Sequence, residues 1–479
     1  MEDRFKFQLR LYAAIELFCD VLGQSRPEAL TYRGVDLQPA LERWFYVNII
    51  GHGAAVFERL YALHCARRDG TNDGGTEANW LLRGLLQVLE TRTDPVAPET
   101  FLTDSSRPQR LHADDRRPSS LAAPADGPVL IHVYYEKFLD QAVALTDGWD
   151  VDYRFFSLSP SVIARFRRLG LPFQEPVASA EAPRPAADSL WTIAPDIPAW
   201  YEAFDAMLDV VRPMRIVGFE GDSPQDFILC TLARARGIPT TALQHGVPYY
   251  IVGGSRNMAF DRFLTWSEHL GRVFEPFNPI TRCIASGNVL SPSADAPLPD
   301  APPRDVLVIL PNRNPLAAAD EIDAFLAAVR TMVERMPDLT FVAREHPDHR
   351  LSDQRRAHLA SLPNLRFEVP ARMPITAALA RSRAVIGLFT SVLIEAFLSS
   401  AVPILWRSYA GETLMRGLGF LDDVAVVDHV DGACAILGEL HDDEAWQRRV
   451  DALARPRRHL LPPHGRAPVT VAREAIMVP

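Results

Sequence analysis

Residues 339–347 read LTFVAREHP. Leu339, Thr340, Phe341, Val342 and Ala343 are apolar or β-prone with no polar alternation, the pattern of a strand buried on both faces of a parallel sheet. Pro347 forbids continuation of a central strand and biases His346 away from helical backbone. Ligands of open parallel sheets bind beyond the carboxyl ends of the strands, so Arg344 and His346 stand where a ligand is expected. Taken alone, the stretch fits a hydrogen-bonded His346 without a ligand equally well.

A chain of 479 residues exceeds one ordinary core, and two or three domains are expected. A hydrophobic content of 48% with 23% charged residues is that of a soluble globular protein. No apolar run reaches the roughly 18 residues of a membrane span, and the N-terminal MEDRFKFQLR lacks a signal-peptide core, so a cytoplasmic location is expected. Cys19, Cys65, Cys230, Cys283 and Cys434 are scattered and show no CxxC spacing, which predicts reduced thiols rather than a disulfide frame or zinc site. A net charge of −10 argues against broad nucleic-acid binding. Only Lys6 and Lys137 are lysines, a bias of composition given no functional weight at this stage.

Residues 1–93 carry helical periodicity and form a helical N-terminal segment. Its Trp44, Phe45, Tyr46, Phe57, Leu60 and Tyr61 recur at spacings near three and four. They either pack internally and on the next domain or form a docking surface for a membrane or partner. Residues 94–127 turn to Pro, Asp, Arg and Ser and read as a linker or long loop. Strand-like runs then alternate with helices: VLIHVYY, VDYRFFSL, MRIVGF, PTTALQ, FLTWS and RCIAS over 128–290. A Pro-rich break at 291–304 precedes DVLVILP, LTFVAR, LRFEV, AVIGLF, VPILW and VAVV over 305–479. The fold class is therefore α/β, with two Rossmann-like doubly wound domains.

Polar residues collect where these strands end. Glu220-Gly221-Asp222, Gln244-His245-Gly246, Gly287-Asn288, Asn312-Arg313-Asn314, Arg344-Glu345-His346-Pro347 and Thr390-Ser391 each follow an apolar run. If the carboxyl edges of two doubly wound domains face each other, these groups surround one cleft. Thr390 and Ser391 sit between a buried strand and an apolar helix, where unpaired N–H groups favour a phosphate; simple helix capping is the competing reading. Glu395, one turn on, is within range of a ribose hydroxyl. His245 is either a base or sugar ligand, or a structural residue before a tight Gly246 turn. Asn312, Arg313 and Asn314 either line a base or phosphate pocket or form a plain loop.

The QHG at 244–246, the REHP at 344–347 and the FTSVLIEA at 389–396 together resemble the signature of bacterial GT-B transferases that build surface polysaccharides. That group includes capsule sialyl- and polysialyltransferases, Kdo transferases of capsule and lipopolysaccharide assembly, and CDP-glycerol glycerophosphotransferases. The resemblance covers roughly residues 214–406 and leaves the helical N-terminal segment outside it. It implies that His346 contacts the nucleotide phosphate and assists its departure, that Thr390 and Ser391 hold the donor phosphate, and that Glu395 lies near the ribose. Glu220-Gly221-Asp222 resembles the general-base motif of sialyltransferases, but with the two acids split by the glycine, so Glu220 and Asp222 both remain candidates.

The implied activity is metal-independent transfer of a sugar from a nucleotide donor to a cell-surface glycan acceptor, with a CMP-linked sugar of sialic acid or Kdo type favoured. No cofactor beyond the donor is expected. Arg344, His346 and a helix N-terminus would stabilise the departing nucleotide, and a carboxylate would take the acceptor proton. Peripheral association with the inner membrane or an assembly complex accompanies this expectation. The rivals are an enzyme like UDP-N-acetylglucosamine 2-epimerase and a non-catalytic scaffold of a polysaccharide assembly complex.

Overall fold

The computed structural model describes residues 2–51, 54–68, 84–85, 87–88, 126–177, 191, 194–247, 255–290, 303–311, 319–346, 350–370, 373–388, 390–461 and 465–478. Helices α1 (Glu2–Ser25), α2 (Gln38–Phe45) and α3 (Ala54–Arg68) open the chain. Between α1 and α2 lies a feature that helical periodicity does not predict, an antiparallel pair of two-residue strands, β1 (Thr31–Tyr32) and β2 (Val35–Asp36). Arg33 and Gly34 join them at φ 50° and 80°, the left-handed backbone that a tight hairpin turn requires.

The aromatic residues of this segment are spent on packing. Phe45, Tyr46, Phe57 and Leu60 are buried, and Phe7 meets Phe57 edge-on at 5.5 Å. Helix α2 lies against the helix Pro224–Ala235, with the Arg43 guanidinium 4.8 Å from the Phe227 ring. Tyr32 donates to Glu202 at 2.8 Å, and Arg33 pairs with the same carboxylate. Of the two readings of these side chains, packing is the one the structure realises. Among the described residues no helix is long and apolar enough to cross a membrane.

The first sheet contains β3 (Val129–His132), β4 (Tyr153–Phe156), β5 (Arg215–Phe219), β6 (Thr240–Leu243), β7 (Arg262–Thr265) and β8 (Arg282–Ala285). All neighbours are parallel, in the order β4-β3-β5-β6-β7-β8. The order turns around between β3 and β5, and that is the switch point. The second sheet contains β9 (Asp305–Ile309), β10 (Thr340–Arg344), β11 (Leu365–Glu368), β12 (Ser382–Gly387), β13 (Val402–Trp406) and β14 (Ala425–Val427). Its order β11-β10-β9-β12-β13-β14, again parallel, is the Rossmann order with its switch point between β9 and β12. The expected strands are thus all present, and β3, β6 and β12 are buried along their whole length, as continuous apolar runs demand. Two Rossmann-like domains in sequence constitute the GT-B fold.

The end of the chain departs from the expected division. The sequence pattern places the whole span 305–479 in the second domain, yet the helix Pro468–Met477 packs on the first. Ala472 and Ile476 are buried in the same cluster as Val129 and Ile131. Arg473 donates to the Leu145 carbonyl at 2.7 Å, while Arg215 and Arg262 donate to the carbonyls of Met477 and Ala475. No local pattern marks a helix as belonging to a sheet more than 300 residues earlier. A second junction joins the helices Glu268–Phe274 and Ala454–Leu460, where His269 donates to the Leu418 carbonyl at 2.8 Å and stacks on His459. The expected linkers 94–127 and 291–304 lie outside the described residues apart from 126–127 and 303–304.

Ile476→Ala removes a fully buried side chain, so unfolding of the first domain should become easier by about 2–5 kcal/mol. Urea denaturation followed by the first domain's tryptophan fluorescence reads this; an unchanged midpoint would separate the tail from that core.

Candidate active site

The carboxyl edge of the first sheet holds a compact polar cluster at its switch point. After Phe219 the chain makes a tight turn, with Glu220 at φ 60° and Gly221 at φ 81°. A non-glycine residue in the left-handed region is strained, and Glu220 holds that conformation directly after β5. Its Oε2 accepts from Lys137 Nζ at 3.0 Å. Asp222 Oδ1 accepts from the Tyr134 hydroxyl at 2.8 Å. Burial and the Coulombic repulsion of Glu220 push Asp222 up to about 6, against the opposing pull of Lys137, the Tyr134 hydrogen bond and Arg43. Burial and the surrounding carboxylates hold Tyr134 well above its ordinary value, so it remains a donor.

These observations separate the two carboxylates. Glu220 is committed to an ion pair with Lys137. Asp222 holds a proton more tightly and is the better matched to accept one near neutral pH.

His245 follows β6 at the same edge. The Gln141 side chain sets its tautomer: Nε2 of Gln141 donates to the Gln244 carbonyl at 3.1 Å, which leaves its Oε1 facing His245 Nδ1 at 2.7 Å. An amide oxygen can only accept, so Nδ1 carries the proton and, in the neutral ring, Nε2 carries the lone pair. Gln244 is itself locked, accepting from the Trp266 amide at 2.9 Å and the Trp266 indole at 3.1 Å. The His245 ring meets Phe138 edge-on at 4.8 Å, and the same Phe138 lies under Lys137.

The second sheet presents its own edge. Arg344, Ile309 and Gly387 share one register row across β10, β9 and β12, so the segments that follow leave the sheet at one level. Arg344 donates to Glu368 on β11 at 2.7 Å and also acts on the Glu395 carboxylate. It is therefore bracketed by two acids rather than presented as an uncommitted cation. Burial pushes Glu395 up to about 7, against the pull of Arg344. Glu345 shapes the loop beyond the strand: it is buried, accepts from the Leu351 amide at 3.0 Å and pairs with Arg356 at 2.6 Å. His346 is half-buried at the mouth of that loop.

Thr390 Oγ1 accepts from the Val392 amide at 3.2 Å, so the capping role is real. The helix it caps is short, Val392–Glu395 in α form continued by 3-10 turns over Ala396–Leu398. Ser391 makes no side-chain capping bond. A Cβ on Gly387 would come within 2.8 Å of Thr390 Cγ2, so only glycine lets the loop fold back over the end of β12. Beside it, Ser408 Oγ donates to the Leu388 carbonyl at 2.8 Å and accepts from the Gly411 amide, pinning the start of the helix Tyr409–Gly417 to the same crevice.

The structure thus brings Glu220, Asp222 and His245 together on the first edge, and Arg344, His346, Thr390, Ser391 and Glu395 onto the second. Asn312, Arg313, Asn314 and Pro347 lie outside the described residues. Tyr134, Lys137, Gln141 and Ser408 were missed. Lys137 alone left a signal, as one of two lysines in a chain that otherwise uses arginine.

Similarity to solved structures extends over both domains. The UDP-GlcNAc 2-epimerase from Neisseria meningitidis bound to UDP-GlcNAc matches with a TM-score of 0.51 and 13% identity over 73% of this chain and 100% of that one. A Listeria monocytogenes protein described as a UDP-N-acetylglucosamine 2-epimerase matches at 0.51 and 12%, over 73% and 95%. The glycotransferase of kitacinnamycin gives 0.46 and 14%, over 74% and 100%. At these identities the likeness is one of fold. No family model and no curated protein matches the sequence.

Asp222, Asp226 and Glu395 all hold protons more tightly than their ordinary values of 3.8, 3.8 and 4.5. The stability they contribute is complete below those values and is lost as pH rises through about 6 for the aspartates and about 7 for the glutamate. The ligand-free protein should therefore unfold at lower urea at pH 8 than at pH 5.5. Glu395→Gln should recover about 1 kcal/mol at pH 8 and little at pH 5.5. Equal midpoints for wild type at the two pH values would contradict the assignment.

Proposed function

We propose that this protein is a metal-independent glycosyltransferase. On this reading the second domain holds a nucleotide-sugar donor and the first presents the acceptor. The observation that carries the proposal is the switch-point cluster of the first sheet. There a lysine-paired glutamate and a tyrosine-bound aspartate stand together, and the aspartate's proton affinity is raised to about 6. Such a carboxylate suits removal of a proton from an acceptor hydroxyl.

Asp222 takes that proton, and the acceptor oxygen attacks the anomeric carbon of the donor. The bond from that carbon to the donor phosphate oxygen breaks, and its electron pair leaves with the nucleotide. His346, the hydroxyls of Thr390 and Ser391 and the N–H groups after β12 meet the developing phosphate charge. Glu395, with its proton held to about 7, is suited to hydrogen-bond a ribose hydroxyl. Glu220 and Lys137 orient the acceptor, and His245, with its lone pair on Nε2, accepts from a second sugar hydroxyl. The preference for a CMP-linked sugar of sialic acid or Kdo type, and for a surface glycan as acceptor, rests on the motif resemblance at 244–246, 344–347 and 389–396.

A second reading, interconversion of a free nucleotide sugar, is favoured by the structural likeness to the Neisseria meningitidis and Listeria monocytogenes 2-epimerases. Acceptor dependence separates the two, because an epimerase turns over the nucleotide sugar alone. A scaffold would do neither.

Thermal-shift titration with CMP, CDP and UDP reports the donor, since a ligand that binds only the native state raises the melting temperature by mass action. CMP is expected to give the largest shift, reduced in His346→Ala. A shift by UDP alone would remove the CMP preference, and none with any nucleotide would favour the scaffold. Asp222→Asn is expected to lower kcat by about 10²–10⁴-fold with the nucleotide shift retained. Retained turnover in Asp222→Asn with loss in Glu220→Gln would reassign the base.

A further inference from the structure

Directly behind the switch-point cluster lies a pair of ionisable residues for which the proposed transfer has no use. His132, the last residue of β3, places Nδ1 3.1 Å from Asp226 Oδ1, and both side chains are wholly buried. The pair is built into the fold. Asp226 sits in the first turn of the helix Pro224–Ala235, beside Gly218 on β5, where a Cβ would meet the Phe260 ring at 2.6 Å and touch Asp226 Oδ1 at 3.5 Å. Tyr134 follows His132 two residues beyond the end of β3, with the two rings 5.9 Å apart. They grip two carboxylates of the following segment, His132 holding Asp226 and Tyr134 holding Asp222.

The two outer atoms of the pair, Asp226 Oδ2 and His132 Nε2, have no hydrogen-bond partner among the described residues. An ionised Asp226 would leave Oδ2 as a buried carboxylate oxygen, beside an imidazole packed against Phe156 and Phe204, whose rings lie 6.2 and 5.2 Å from it. Sharing one proton within the pair leaves the least unsolvated charge there. We infer that His132 and Asp226 form a buried pair that holds one proton between them and thereby sets the charge felt by Asp222, making them positioning residues for the base. This rests on Asp222 being that base.

The charged and titratable neighbours are accounted for. Asp222 faces Glu220, Lys137, Tyr134 and Arg43 as well as Asp226. Asp226 faces His132, Asp222 and the buried Cys230 thiol, itself held well above its ordinary value. Burial raises Asp226 to about 6, the range in which Asp222 also titrates, while His132 pulls it down. Two carboxylates that repel each other and titrate together lose their protons in two steps shared between them.

Carbon-13 NMR of the aspartate side-chain carboxyls, with the Asp222 signal assigned by its loss in Asp222→Asn, reads this in the substrate-free protein. In the wild type the Asp222 shift should follow two steps between pH 5 and about 8. In Asp226→Asn the repelling carboxylate is gone, and a single step should remain, displaced downward by about one unit. In His132→Gln, Asp226 loses the imidazole that stabilised its charge and keeps its proton, so Asp222 should again show one step displaced downward. A one-step wild-type titration, or two steps persisting in Asp226→Asn, overturns the inference. Should either variant fail to fold, the wild-type curve still decides. Because no substrate is present, an absence of transferase activity would refute the proposed function and leave this result standing.

Discussion

The row formed by Arg344, Ile309 and Gly387 is the constraint on which the second domain depends. Three parallel strands in register must end at one level, and the backbone leaving them must find partners outside the ladder. Glu345 meets that need on one side by taking the Leu351 amide, and Thr390 on the other by taking the Val392 amide. The switch point, between β9 and β12, lies at that same level. A displaced β12 would carry Thr390, Ser391 and Glu395 away from Arg344 together, which is why Gly387, with no side chain to clash with Thr390, matters to several residues at once.

Charge is organised differently on the two edges. Arg344 on the second domain is buried and held between Glu368 and Glu395, and removing either acid would leave it under-compensated. On the first domain the acids outnumber the cations, with Glu220, Asp222 and Asp226 facing Lys137 and Arg43. Crowding of that kind raises proton affinity, and it falls on the most enclosed members. Glu220 pairs with its lysine at the edge.

Segments remote in sequence hold this edge in place. Helix α2 brings Arg43 against Phe227 on the helix that carries Asp226, and the Arg43 guanidinium donates to the Arg256 carbonyl. The final helix closes the opposite side of the sheet through Ala472 and Ile476. The final helix is thus committed to the first domain, whereas α1 also reaches the second, where Ala13 joins the core around Phe325, Val329 and Phe341.

The strands were legible in the sequence because a parallel strand buried on both faces has to be apolar throughout, and LTFVAR or AVIGLF leaves no room for another pattern. Glu220, Asp222, His245, His346 and Thr390 were legible for a related reason: polar residues at the end of such a run can only lie at the sheet edge. Their partners were not. Tyr134 reaches Asp222 across 88 residues, Lys137 reaches Glu220 across 83, and His132 reaches Asp226 across 94. Each contact exists because β3 and β5 pair in parallel across a crossover, and local residue patterns carry no record of which strands become neighbours. The sequence by itself determined where polar groups meet the sheet edges. Tertiary structure decided which of them face each other, and so why Asp222, Asp226 and Glu395 hold their protons more tightly, because proton affinity depends on burial and on charges that only folding brings within range.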